Sequence, residues 1–160
     1  MSAGAAGAAT VSNAMEPLAP KFRAAVVRAI KRCNDGGLDA FVFEAFRSAE
    51  LQAIYFARGR TVFPPPFPVT NAFSNLFSWH GYGLAVDVIS RARHWDAPVD
   101  WFAAVAKIFG EEGCRWGGDW RQRDLPHFQW GRCKPSPSQA ARDILAMRGL
   151  PAVWEVVGAA

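Results

Sequence analysis

Three histidines occur in the 160 residues, and two of them, His80 and His127, lie close to carboxylates in aromatic, glycine-rich surroundings. In the run Ser78-Trp79-His80-Gly81-Tyr82-Gly83-Leu84-Ala85-Val86-Asp87, a histidine on a turn precedes an aspartate on a strand. The glycines between them let the chain fold back, so that both side chains can reach one metal ion. Asp124-Leu125-Pro126-His127 adds a third candidate ligand and a further carboxylate from a separate segment. Two imidazoles and one carboxylate form the donor set of a hydrolytic zinc site, which keeps a fourth position open for water as a closed structural site does not. Water at such a position ionises near pH ~7. Taken singly, each His/Asp pair also fits a structural hydrogen bond, and Asp124, close to Arg121 and Arg123, also fits an ion pair.

These residues need elements to position them. Phe22, Val26, Ile30 and Cys33 recur at helical spacing, which predicts a helix from Pro20 that stops at Asn34-Asp35-Gly36-Gly37. Residues 38–46 read as a strand carrying Phe41 and Phe43 on one face. Ser48 is the expected N-cap of a helix through Arg58, with Glu50 near its positive end and Gly59 closing it, so Arg47 falls at a strand-to-helix junction. Residues 60–79 include Pro64-Pro65-Pro66 and Pro68 and read as a long irregular loop of the functional kind. A flexible His80-Gly81-Tyr82-Gly83 introduces a strand over residues 84–89, and a helix over residues 98–112 buries Trp101, Val105, Ile108 and Phe109 and ends at Gly113. Trp116-Gly117-Gly118-Asp119-Trp120 makes a turn that fits a cleft wall or a tight corner equally well. In the short strand 125–130, His127 and Gln129 face one way and Phe128 and Trp130 the other. Ser136-Pro137-Ser138-Gln139 reads as a capping box with Pro137 at the first helical position, opening a last helix that ends at Gly149. Helices and strands that do not alternate strictly indicate an α+β fold.

At roughly 150 residues per domain the chain makes one domain, here residues 15–160. Residues 1–14 are low in complexity and read as a flexible arm or an expression scar ahead of Met15. They lack the basic and apolar regions of a secretory signal, and no stretch reaches the ~18 apolar residues of a membrane span, so a soluble protein made in the cytoplasm is expected. A net charge of +4 suits a polyanionic partner such as nucleic acid, an anionic membrane or a cell wall. Seven Trp and twelve Phe imply an aromatic core and an aromatic cleft. Cys33, Cys114 and Cys133 are too scattered for a disulfide framework and read as reduced core thiols. His94 falls outside these motifs and reads as an exposed loop residue.

Four separated motifs together resemble peptidase family M15, the D-alanyl-D-alanine carboxypeptidases and L-alanyl-D-glutamate endopeptidases, and within it the phage endolysin branch. They are Phe46-Arg47-Ser48-x-x-Leu51-Gln52, Ser78-x-His80-x-x-Gly83-x-Ala85-x-Asp87, Trp116-Gly117-Gly118-Asp119-Trp120 and Asp124-x-x-His127, covering roughly residues 20–134. The resemblance implies a small antiparallel sheet with flanking helices, a zinc peptidase fold of the hedgehog/D-Ala-D-Ala metallopeptidase type. It implies one Zn2+ per chain, with His80, Asp87 and His127 as ligands. Asp124 becomes the general base, and its being aspartate rather than glutamate is similar to the phage endopeptidases. Arg47 becomes the group that stabilises the oxyanion or holds a substrate carboxylate, and Ser78 a substrate-binding hydrogen-bonding group.

The expected activity is therefore hydrolysis of the peptidoglycan stem peptide, at the L-Ala–D-Glu bond, by water activated on zinc. The enzyme is expected to be a monomeric endolysin that reaches the wall after holin-type release. Peptidoglycan is its expected partner, with no nucleic acid and no stable membrane insertion. A D-Ala-D-Ala carboxypeptidase or dipeptidase is the rival within this chemistry, and a non-catalytic zinc-binding wall-recognition module the rival outside it. Asp124 speaks against the second, since a binding module needs no base.

Overall fold

The computed structural model describes residues 10–160, so most of the arm expected over residues 1–14 lies outside the described residues. Its described end runs along the domain: the Ser12 carbonyl accepts the Ala45 N–H at 2.7 Å. In chain order the elements are α1 (Pro20–Asp35), β1 (Ala40–Glu44), α2 (Ala49–Ala57), β2 (Ala85–Ser90), α3 (Val99–Glu111), β3 (Cys114–Trp116), β4 (His127–Trp130), α4 (Gln139–Arg148) and α5 (Leu150–Val156). The strands form one antiparallel sheet in the order β1-β2-β4-β3, the α+β arrangement expected.

Alternation divides the sheet into a packed face and a functional face. Val86, Val88 and Phe128 join the core with Phe22, Val26 and Ala29 of α1 and Val105 and Phe109 of α3. The Phe109 and Phe128 rings lie 4.4 Å apart, and burying each contributes about 2–3 kcal/mol. On the other face Asp87 of β2 is paired directly with His127 of β4. A register shift between Val42 and Glu44 brings Glu44 opposite Asp87 as well, since a bulge re-aims the side chain that follows it. Three polar residues thus lie in one row across three strands.

Several expectations are corrected. On α3 the fully buried residues are Phe102, Val105 and Phe109, while Trp101 and Ile108 are only partly covered; Trp101 instead donates its indole N–H to Asp39 at 3.1 Å. The segment His80–Gly83 is no flexible linker. Residues Trp79–Tyr82 form a buried 3-10 turn, and the Tyr82 hydroxyl donates to the Leu76 carbonyl at 2.9 Å. Helix α4 starts two residues later than its proline suggested, because Ser138 caps it by accepting the Ala141 N–H at 3.2 Å. The helix α5 that follows was not anticipated, nor was β3. Ser48 caps α2 as expected, His94 is exposed with φ +52°, and the three cysteines are buried free thiols. Among the described residues no helix is long and apolar enough to cross a membrane.

Candidate metal centre

His80 is carried by the 3-10 turn, and the turn is fixed from several sides. Gly83 ends it with φ +68°, and a Cβ there would lie 2.6 Å from the Pro17 carbonyl, so neither the conformation nor the space admits a larger residue. The Trp79 indole donates to the Lys134 carbonyl at 2.7 Å, and the His80 carbonyl accepts the Arg47 N–H at 3.0 Å. Asp87 and His127 are fixed by the sheet register.

The three side chains converge. Asp87 Oδ1 lies 3.4 Å from His80 Nε2 and 3.8 Å from His127 Nδ1, and one donor atom from each residue falls within 4.8 Å of the others. These separations exceed the ~2.9 Å of a good N–H···O bond. They approach the roughly 3.3 Å edge of a tetrahedron with metal–ligand distances near 2.0–2.1 Å. The far nitrogens are also engaged as a metal site requires: His80 Nδ1 is 3.0 Å from the Ala45 carbonyl and His127 Nε2 is 2.8 Å from Gln129 Oε1. With the ring protons on these outer nitrogens, each ring would turn a bare nitrogen toward Asp87. The residues fit one zinc ion, whose preferred ligands are imidazole nitrogen and carboxylate oxygen.

The electrostatics prepare the same donor set. Burial would raise the Asp87 carboxyl, but His80, His127 and Arg47 together bring it down to about 2. Burial, reinforced by His80, lowers the His127 imidazole to about 4. A deprotonated carboxylate and a neutral imidazole are the forms that bind metal.

Around the centre runs a cleft of about 1050 Å³ lined by all six residues expected from the sequence, Arg47, Ser78, His80, Asp87, Asp124 and His127. Arg47 is buried, with its Nε bonded to Glu44, its Nη1 donating to Gln52 at 2.9 Å and its Nη2 3.8 Å from Asp87 Oδ2. The Tyr55 ring lies under the guanidinium at 4.7 Å, and its hydroxyl donates to Glu44 at 2.9 Å. Asp124 lies at the open edge of the cleft, its N–H bonded to the Gly117 carbonyl at 2.9 Å. The protein packed beneath it and the charge of Asp87 raise its carboxyl to about 6. Phe43, Trp95 and Trp120 supply aromatic wall, and the loop expected to be functional contributes Pro68–Ala72. The turn 116–120 is both corner and wall: the Trp116 indole is tied to the Leu125 carbonyl at 2.7 Å, while the Trp120 ring stands 4.9 Å from that of His127.

Residues 72–130, which contain Ser78, all three candidate ligands and Asp124, match a family model described as D-alanyl-D-alanine carboxypeptidase. Over these residues the chain is similar to that family. A curated relative, the peptidoglycan L-alanyl-D-glutamate endopeptidase CwlK of Bacillus subtilis (strain 168), is 34% identical over 108 residues, covering 58% of this chain. The chain spans 61% of that relative's length. Among solved structures, the Serratia marcescens L-Ala D-Glu endopeptidase ChiX aligns with a TM-score of 0.57 at 22% identity, covering 72% of this chain and 82% of that one. The LdcB LD-carboxypeptidase aligns at 0.52 and 14% identity, over 86% and 68%. These two likenesses show a shared fold.

Four residues of this site were not assigned a role from the sequence: Glu44, Gln52, Tyr55 and Gln129. Glu44 had a signal, as the one charge in an otherwise apolar strand. Gln129 had one too, since alternation places it on the face of His127.

Proposed function

We propose that this chain is a zinc-dependent peptidoglycan endopeptidase that cuts the stem peptide between L-Ala and D-Glu. The observation that carries the reading is the convergence of His80 Nε2, Asp87 Oδ1 and His127 Nδ1 on one point of the cleft with Asp124 close by. The choice of bond is supported by the name of the Bacillus relative and by aspartate at position 124.

Zinc held by His80, Asp87 and His127 would supply Lewis acidity, making water acidic enough to ionise near neutral pH and polarising the scissile carbonyl. Asp124 takes the proton from the attacking water and returns it to the leaving amine. A carboxyl raised to about 6 suits a group that must gain and lose a proton near neutrality. Arg47, with Nε and Nη1 held by Glu44 and Gln52, keeps a fixed cation beside the reacting centre for the oxyanion or for a substrate carboxylate. Ser78 offers a hydrogen bond to the peptide backbone. The aromatic walls exclude water around these charges and strengthen them.

All of these residues come from one chain, so a monomer suffices. The +4 charge favours an anionic wall, in keeping with an endolysin that acts after the membrane has been opened. Purified peptidoglycan digested with the protein and read by mass spectrometry tests the reading. New N-terminal glutamate is expected, free D-alanine would identify a carboxypeptidase, and zinc binding without cleavage a recognition module.

A further inference from the structure

Gln129 is wholly buried, 1% exposed, and both ends of its amide are engaged. Its Nε2 donates to the Lys134 carbonyl at 2.8 Å and its Oε1 lies 2.8 Å from His127 Nε2. A carbonyl can only accept, so the NH2 group must face Lys134 and the oxygen must face His127. An oxygen acceptor in turn requires the proton of the His127 ring on Nε2. The bare nitrogen is then Nδ1, the one directed at Asp87.

We propose that Gln129 is the positioning residue of the metal site, holding His127 in the tautomer and orientation that leave Nδ1 free for the metal. The proposal rests on the reading of His80, Asp87 and His127 as ligands. The amide is itself anchored, because the Lys134 carbonyl also accepts the Trp79 indole N–H at 2.7 Å, and Trp79 belongs to the turn that carries His80. One backbone carbonyl thereby ties together the segments bearing the two histidine ligands. The His80 ring is held by a backbone group, the Ala45 carbonyl, so of the two outer contacts only that of His127 is set by a side chain. A neutral amide does this without adding charge, leaving Asp87 as the single anionic ligand of the three.

Long-range 15N–1H NMR on the metal-free protein at neutral pH should find His127 with its proton on Nε2. Gln129→Met removes acceptor and donor together; zinc competition against a chromophoric chelator should then show affinity about 10–100-fold weaker, with the tautomer no longer fixed. Gln129→Glu restores the acceptor but sets a carboxylate against the Lys134 carbonyl. Its melting temperature should fall while zinc affinity stays within about threefold of the parent. Undiminished affinity in Gln129→Met, a proton on Nδ1 in the parent, or affinity falling in step with melting temperature in both variants would overturn the proposal. A parent that binds no zinc would overturn the ligand reading instead, and the NMR result would still decide the tautomer.

Discussion

Replacing Gly117 with alanine should disable the site with little loss of fold. Gly117 has no left-handed φ that alanine would resist, so the effect is one of space alone. A Cβ at this position would lie 2.5 Å from the Asp124 carbonyl oxygen and 3.1 Å from both the Asp124 and the His127 Cβ atoms, where ordinary contact begins at 3.4 Å. The first contact is short by about 0.9 Å and involves backbone, so the segment carrying Asp124 and His127 must move away by several tenths of an ångström. Displacement of the base and a ligand by that order costs ~10²-fold in rate, or ~2.7 kcal/mol. Overpacking costs ~1–3 kcal/mol of stability, a melting shift of about 2–4 °C per kcal/mol for a chain of this size. Initial rates of peptidoglycan solubilisation at 25 °C, beside a thermal melt of the same sample, separate the two effects. A folded Gly117→Ala protein with a rate within about threefold of the parent would refute the positioning role of this close approach.

Asp124→Ala should keep about one zinc per chain by elemental analysis and lose ~10²–10⁴-fold in rate; unchanged cleavage would remove Asp124 as the base. His80→Ala should lose tightly bound zinc, and a variant with normal metal content after dialysis would exclude His80 from the ligand set. Asp39 accepts hydrogen bonds from the Ala92 N–H at 2.9 Å, Ser90 at 2.7 Å and Trp101 at 3.1 Å, and these, the Ala92 bond foremost, lower its carboxyl. A depressed folded-state value stabilises above the unfolded value of ~3.9 and is lost as pH falls through the folded one. Asp39→Ala should therefore lower the melting temperature at pH 7, and the difference from the parent should close in acid; a difference independent of pH would contradict the assignment.

The parts of this molecule that were legible in its sequence are those where one local rule acts alone. Apolar spacing located α1, and the Ser48 hydroxyl marked the start of α2. Alternation in residues 127–130 placed His127 and Phe128 on opposite faces, as the sheet does. Where two local signals compete, tertiary contacts decide. The capping box read from Ser136 gives way to Ser138, which caps α4, while the Pro137 carbonyl is taken by Arg142 at 2.8 Å. The chain does not stop at Gly149 but is redirected there at φ +84°, and Pro151 sits in the first turn of α5. The Trp154 indole then bonds the Tyr82 carbonyl at 2.7 Å, a contact across the domain that no local pattern encodes. The same holds in the site. The candidate ligands His80, Asp87 and His127 stood out in the sequence by residue type and motif, but the supports of Arg47 and His127 depend on which strands become neighbours.

Zinc titration asks whether one zinc per chain drives cleavage between L-Ala and D-Glu. Metal-free protein is given increasing zinc while new N-terminal glutamate is counted in a peptidoglycan digest. No release is expected without metal, and with zinc a rise that levels off at about one equivalent. Cleavage by the metal-free protein, or release of D-alanine in place of N-terminal glutamate, would contradict this expectation.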